Sequence, residues 1–265
     1  LEATHHAPLI LWHWTYGGIL PDSGCARHVT VIHCHHRLVL VAETGHKFGV
    51  KQILPALILV VISISLLNLA VAEGTNDNGS VSKSLFDGHT LTGWKIAEFT
   101  GHSDALVESN SLIIVAGEAL SGITFTNQFP TSDYEISLEA MRVSGSDFFC
   151  GLTFPVLKTN CTLIVGGWGG RLIGISSIDG RDASENEFST ARNFTNGVWY
   201  SIRLQVTTTN IHAWLNDSTI VDVNTKDREL GLRLGEISLS RPLGLATYTT
   251  KAALRNIRYR LLSNQ

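Results

Sequence analysis

From Ser84 to Leu262 apolar residues recur at alternate positions in short runs set off by turn-forming residues, and that spacing leaves an all-β body as the expected fold. Tyr134, Ile136, Leu138 and Ala140 fall on one side of an extended segment, with Glu135, Ser137, Glu139 and Met141 on the other. Ile202, Leu204 and Val206 mark the buried face of a second strand. Ile211, Ala213 and Leu215 mark a third, with His212 and Trp214 opposite. Thr207 to Asn210 reads as the turn between these two, and Asn216-Asp217-Ser218 as the turn before a strand at 219–223. Shorter runs at 112–115, 122–125, 148–154, 162–165, 172–178, 243–247 and 253–261 complete the set. Strand centres about 8–12 residues apart belong to a sandwich or barrel. No helix of ordinary length shows its period after residue 80, and a single helical turn is expected at 227–230.

Upstream, Lys51 and Gln52 precede an apolar run from Ile53 to Leu67, and Ala70-Val71-Ala72 closes the segment. A basic flank, an apolar centre and a small-x-small ending predict a secretory signal peptide over 50–72, cleaved after Ala72. A polar leader at 73–83 then enters a single domain at 84–262. The competing reading is an uncleaved anchor, because the run approaches the roughly 20 residues that span a bilayer. Pro55 and Asn68 within it favour cleavage. The protein is therefore expected to be exported, periplasmic or extracellular, with a membrane as partner only if the segment stays. Residues 1–49 hold eight of the eleven histidines and show no sustained period. They are expected to be upstream DNA read as protein, or disordered, with translation starting at Val50. The alternative is a metal site of Cys25, His28, His33, Cys34, His35 and His36, donors that suit zinc or copper, although their spacing matches no closed zinc module.

A net charge of −3 and the lack of any Lys/Arg run after residue 72 give no reason to expect nucleic acid as a partner. Cys150 and Cys161 are the cysteines of the expected domain. In an oxidising compartment they are either one disulfide or two buried thiols.

The densest candidate chemistry lies at Gly166-Gly167-Trp168-Gly169-Gly170 and in the acidic tract that follows. Glycines on both sides of Trp168 let backbone approach closely, and an exposed indole is a stacking surface for the apolar face of a sugar. The alternative is a strand-end turn with Trp168 packed inward. Asp179, Asp182, Glu185 and Glu187 lie close together in sequence. If 185–187 is extended, Glu185 and Glu187 share a face with Asn186 opposite. Two carboxylates on one face can divide into an acid and a base. The same tract also reads as a solvated loop, or as a calcium site of Asp179, Asp182 and Glu185, the one cofactor it suggests. His212 is a candidate general base. Glu139, Arg181, Asn186 and Arg241 are candidate sugar contacts, Arg241 standing in a late cluster with Arg233 and Glu236.

The run Ser84-Leu85-Phe86-Asp87-Gly88-His89-Thr90-Leu91-Thr92-Gly93-Trp94 resembles the opening of the 3-keto-disaccharide hydrolase domain family, whose members begin with an "LF(N/D)G..L.GW" phrase. Leu254 to Arg260 is similar to the family's closing strand, and Gly197 to Asp217 to its late hairpin. The resemblance implies a concanavalin A-like jelly-roll sandwich of two curved antiparallel sheets, and action on 3-keto glycosides. A ketone at C3 acidifies the C2 proton, and loss of that proton lets the C1 oxygen depart before water adds back. Glu185, Glu187, His212 or Asp179 would be the acid or base, and Arg181, Arg241 or a cation would hold the enolate oxygen. Many members carry a "GNSG(I/L)" phrase where this chain has Ser144 to Leu152. The rivals are a non-catalytic lectin-like module binding a saccharide and a structural domain of an envelope assembly. The opening phrase also has a purely structural reading, with Asp87-Gly88 as a tight turn and Phe86 and Trp94 packed under the sandwich.

Overall fold

The computed structural model describes residues 81–263, together with the backbone of a separate hairpin, β1 (Thr30–Cys34) and β2 (Arg37–Val41). The hairpin pairs Thr30 with Val41 through Cys34 with Arg37, a strand pair in a stretch where no period was legible. The expected signal segment and the side chains of the early histidine and cysteine group lie outside the described residues. Among the described residues no helix is long and apolar enough to cross a membrane.

Residues 81–263 form a jelly-roll sandwich. One sheet has seven strands in the order β12 (Thr190–Ala191), β11 (Leu172–Ser176), β10 (Thr159–Gly166), β9 (Cys150–Val156), β16 (Gly244–Tyr248), β7 (Leu120–Phe125), β4 (Trp94–Ile96). The other has eight, in the order β15 (Ser218–Asn224), β14 (Asn210–Leu215), β13 (Trp199–Val206), β8 (Tyr134–Ser144), β17 (Lys251–Leu261), β6 (Ser111–Ile114), β5 (Ala105–Glu108); β3 (Lys83–Ser84) joins the end of β17. Pairing is antiparallel throughout both sheets.

The alternation in the sequence sets the core. Ile136, Leu138 and Ala140 of β8 and Ile202 and Leu204 of β13 face Leu152 and Phe154 of β9 and Leu163 and Val165 of β10 across the sandwich, all buried. Two charged residues break the pattern. Glu135 is buried on β8 because Arg203 and Arg260 each hold one of its oxygens at 3.1 Å. Arg142, also buried, spends its guanidinium on Asn196, Phe194 and Gly170. Charge is tolerated out of water only when paired in this way.

The opening phrase is structural. Trp94 donates from Nε1 to the Leu85 carbonyl at 2.7 Å and meets Phe125 edge-on at 5.1 Å. Asp87 accepts the His89 and Thr90 amides and the Thr90 hydroxyl, each at 2.7 Å. The next residue, Gly88, has φ +83° and leaves no room for a Cβ beside Asn110.

One open alternative is decided and two expectations are corrected. No disulfide joins Cys150 and Cys161; both are buried free thiols. The β9–β10 register pairs Cys161 with Phe154 and Cys150 with Val165, so four residue steps, roughly 13 Å, separate them, beyond disulfide reach. The helical turn expected at 227–230 is an irregular stretch in which Leu230 bridges Ile178, while a 3-10 turn forms later, at Glu236–Ser240. Residues 183–188 are turns and bends rather than an extended strand, so Glu185 and Glu187 share no strand face.

Burial pushes both thiols up to about 12. Mass-spectrometric mapping should find Cys150 and Cys161 unalkylated by iodoacetamide in the native protein and fully alkylated after denaturation, without any reductant. Alkylation only after reduction would show a disulfide.

Hydrogen bonds from Thr90 and His89 lower the Asp87 carboxyl from 3.8 to about 2. Because the folded value lies below the ordinary one, its contribution is intact above about pH 4 and is lost as pH falls toward 2. Asp87→Asn should therefore narrow the difference in melting temperature between pH 4 and pH 2. An unchanged difference would exclude this carboxylate as a source of acid sensitivity.

Candidate functional site

Strand alternation turns Gly122, Gly151, Gly174, Gly244, Ala246 and Tyr248 to the outer face of the seven-stranded sheet, with Thr162, Ile164 and Ser176. Most of these residues are small, and other segments lie on the space they leave. A Cβ on Gly151 would approach Phe148 to 2.9 Å, one on Gly244 would meet the Ser240 carbonyl at 2.5 Å, and one on Gly174 would sit 3.1 Å from Ala183 and Ser189. The 3-10 turn thus covers one part of the face and the 182–189 loop another. Phe99, Phe148, Ile164, Ile237 and Ala246 form a second apolar cluster there.

Between the covers lies a cleft of about 340 Å³. Thr162, Ile164 and Ser176 lie on the sheet beneath it, and Phe148, Tyr248, Trp168, Arg233 and Glu236 stand among its walls. Trp168 is 40% exposed. It is presented by a turn with positive φ at Gly166, Trp168, Gly169 and Gly170, a conformation that costs a non-glycine residue about 1–2 kcal/mol. Asp147 clamps this turn by accepting the Gly169 amide at 3.0 Å and the Phe148 amide at 2.7 Å, and the buried Arg142 reaches the Gly170 carbonyl at 3.5 Å.

A polar row follows. The Arg233 guanidinium lies 5.9 Å from the Trp168 ring, and its Nε pairs with Asp182 Oδ2 at 3.2 Å. Ser176 donates to Asp182 Oδ1 at 3.0 Å. Glu236 takes the Thr100 hydroxyl at 2.5 Å and its amide at 2.9 Å, which lowers its pKa. Phe148 and Tyr248 lie 6.0 Å apart with rings tilted by 33°.

Of the residues singled out from sequence, Trp168, Arg233 and Glu236 line the cleft. Asp179 accepts from Arg228 at 2.6 Å and from the Glu229 amide at 2.9 Å, bonds that hold its carboxyl below the usual range. Glu187 joins the same arginine at 3.1 Å, so these two acids staple a loop. Glu185 and Arg181 are exposed and line no part of the cleft. Asn186 is buried, and its amide donates to the carbonyls of Ile175 at 2.9 Å and Asp182 at 2.8 Å, which fastens the loop to β11 and leaves no hand for a sugar. His212 and Glu139 lie on the other sheet. His212 stacks on Trp214 at 5.8 Å and pairs with Asp222 at 3.3 Å. Glu139 is held by Arg255 at 2.9 Å and Asn256 at 2.6 Å, the arginine chiefly lowering its pKa. Arg241 lines a neighbouring cavity. Asp179 and Asp182 turn to different arginines, and among the described residues no three His, Cys, Asp or Glu side chains are grouped to hold a metal, so the suggested calcium trio does not converge.

Sequence reasoning missed Tyr248, Ser176 and Phe148 as cleft residues and took Asp182 only as part of a tract. The outward phase of Tyr248, two and four residues beyond Ala246 and Gly244, was the available signal.

The cleft lies on a β-sandwich of the jelly-roll class, and the sequence comparisons give its family. The pattern of the 3-keto-alpha-glucoside-1,2-lyase-like domain matches residues 81–260, and the chain belongs to that family. No curated protein matches the sequence. Similar solved structures include a glycosyl hydrolase candidate from Parabacteroides distasonis, 13% identical, with 69% of this chain and 94% of that one covered and a TM-score of 0.46. The carbohydrate binding module CBM66 from Bacillus subtilis is 11% identical over 63% of this chain and 95% of its own, with a TM-score of 0.41. The laminarinase catalytic domain from Thermotoga maritima is 10% identical over 70% and 97%, with a TM-score of 0.44.

Asn186→Ala should lower stability by about 1–3 kcal/mol, because three carbonyl partners lose their donor. Hydrogen exchange should quicken in residues 182–189 first. A loss confined to sugar affinity, with stability unchanged, would restore Asn186 as a ligand contact.

Proposed function

We propose that this chain is an exported enzyme of 3-keto glycosides, with the cleft on the seven-stranded sheet as its active site. The observation that carries the reading is the Asp182–Arg233 pair beside the exposed Trp168, in a chain of the 3-keto-alpha-glucoside-1,2-lyase-like family. The sugar ring stacks on Trp168, with Tyr248 on the opposite wall. Arg233 donates to the C3 ketone oxygen. Asp182 takes the C2 proton, and the C–H electron pair forms the C2–C3 double bond of an enolate whose oxygen Arg233 stabilises. Return of that pair restores the ketone, forms a C1–C2 double bond and expels the C1 oxygen, which takes a proton back from Asp182. Water then adds to the double bond for the net hydrolysis. Export rests on the segment at 50–72, outside the described residues.

The second reading, a non-catalytic saccharide-binding module, has its own support. Both oxygens of Asp147, Asp182 and Glu236 already accept hydrogen bonds or an ion pair. A carboxylate oxygen accepts two hydrogen bonds, so capacity remains, but no acid in the cleft stands unengaged.

Turnover of a 3-keto-disaccharide separates the two. Asp182→Asn should lower kcat by roughly 100-fold or more with the fold intact, the ordinary contribution of a positioned base. Trp168→Ala should mainly raise KM. Full turnover by Asp182→Asn would remove it as the base. Sugar binding that needs Trp168, with no turnover by the wild-type protein, would establish the binding module.

A further inference from the structure

Beside the cleft lies a second cavity of about 330 Å³, and the two share Arg233 and Leu234 as wall. Lys158, Arg233 and Arg241 line it, and no carboxylate does. Arg233 is matched by Asp182. Lys158 and Arg241 have no acidic partner among the described residues. Arg241 is held through Nε by the Ser238 carbonyl at 3.0 Å, which fixes the fork and leaves its two terminal nitrogens for a ligand. Lys158 comes from the tight turn between β9 and β10, so the two cations stand on separate, anchored segments.

We propose that this cavity is a subsite for an anionic group, a carboxylate or a phosphate ester, on the saccharide that occupies the cleft. The inference rests on the cleft reading above and adds a substrate class to it. Like charges converging on one cavity without a counter-charge raise its potential, and an oxyanion is the ligand that relieves it. Arginine and lysine supply the fork and the point charge such a group needs. A glycan that stacks on Trp168 and crosses Arg233 and Leu234 brings its next ring to these cations. A neutral glycan gains nothing from them.

The test is calorimetric titration of the full chain at low salt with three probes: cellobiose, its 6′-carboxylate and its 6′-phosphate. At least one anionic probe should bind roughly tenfold more tightly than cellobiose, the scale of a charge-assisted contact, and the advantage should shrink with added salt. The exposed double substitution Lys158→Ala with Arg241→Ala should abolish the advantage while leaving cellobiose affinity unchanged. Trp168→Ala should weaken every probe by a similar factor. Which anionic probe gains tells carboxylate from phosphate. Equal affinity for the three probes, an advantage that survives the double substitution, or no binding of any probe would overturn the inference. The first of these leaves the cleft reading standing if binding still needs Trp168. An anionic advantage that is lost in the double variant but indifferent to Trp168→Ala would instead support the subsite and count against the cleft.

Discussion

Along its middle, the outer face of the seven-stranded sheet has almost no side-chain volume. Gly122, Gly151, Gly244 and Ala246 lie on adjacent strands, and a Cβ on any of these glycines would strike a neighbour within 3 Å. Bare backbone cannot pack against water with profit, so the chain must cover it. Phe148 and Ile237 do so from one side, and Ala183 settles over Gly174 from the other. All seven residues of β9 are buried in consequence. The cleft is what remains between the two covers, and its position follows from where the glycines stop and Thr162, Ile164 and Ser176 begin.

The same requirement explains why one of the exposed aromatic groups of the site is so firmly held. A tryptophan in the left-handed region needs outside support. Asp147 supplies it through two amides, that of Phe148 in its own segment and that of Gly169 in the turn. Arg142 supplies it from beneath, where burial would be prohibitive without three acceptors. Trp168 thus stands on a rigid mount, and the entropy of ordering an indole against a sugar is largely met before any sugar arrives.

The sandwich was legible because burial on one face imposes a period of two, which β14 carries throughout, β13 from Ile202 onward, and β8 apart from its buried charges Glu135 and Arg142. The opening phrase was legible because Asp87-Gly88 and Trp94 are local chemistry. The cleft was legible at Trp168, where glycines on either side announce an unusual backbone, and in the late cluster that holds Arg233 and Glu236. The acidic tract misled, because sequence distance does not tell which arginine each acid will meet. Arg228, some fifty residues on, takes Asp179 and Glu187, while Arg233 takes Asp182. Asn186 looked like a ligand contact for the same reason, and its role depends on carbonyls that only the folded loop brings within 3 Å. His212 and Glu139 stand on the eight-stranded sheet, away from the cleft. The choice between a disulfide and two thiols turned on register, which a count of cysteines does not contain.

On the proposed reading, an arginine paired to the acid beside a stacking surface would serve one kind of chemistry better than simple sugar capture. A hydroxyl at C3 is a modest acceptor and gives Arg233 little reason to leave Asp182. A ketone at C3, and still more the enolate formed from it, is a stronger acceptor, so the developing charge draws the guanidinium toward itself. Each increment of that shift would uncover Asp182 Oδ2 for the C2 proton, while Ser176 keeps the carboxylate in position through Oδ1. On that reading the base is released only where a ketone already stands at C3, and an unoxidised glycoside meets a neutralised pair. The arrangement would then stabilise the enolate more than the bound ketone, and an interaction must do that to accelerate the step rather than merely to tighten binding.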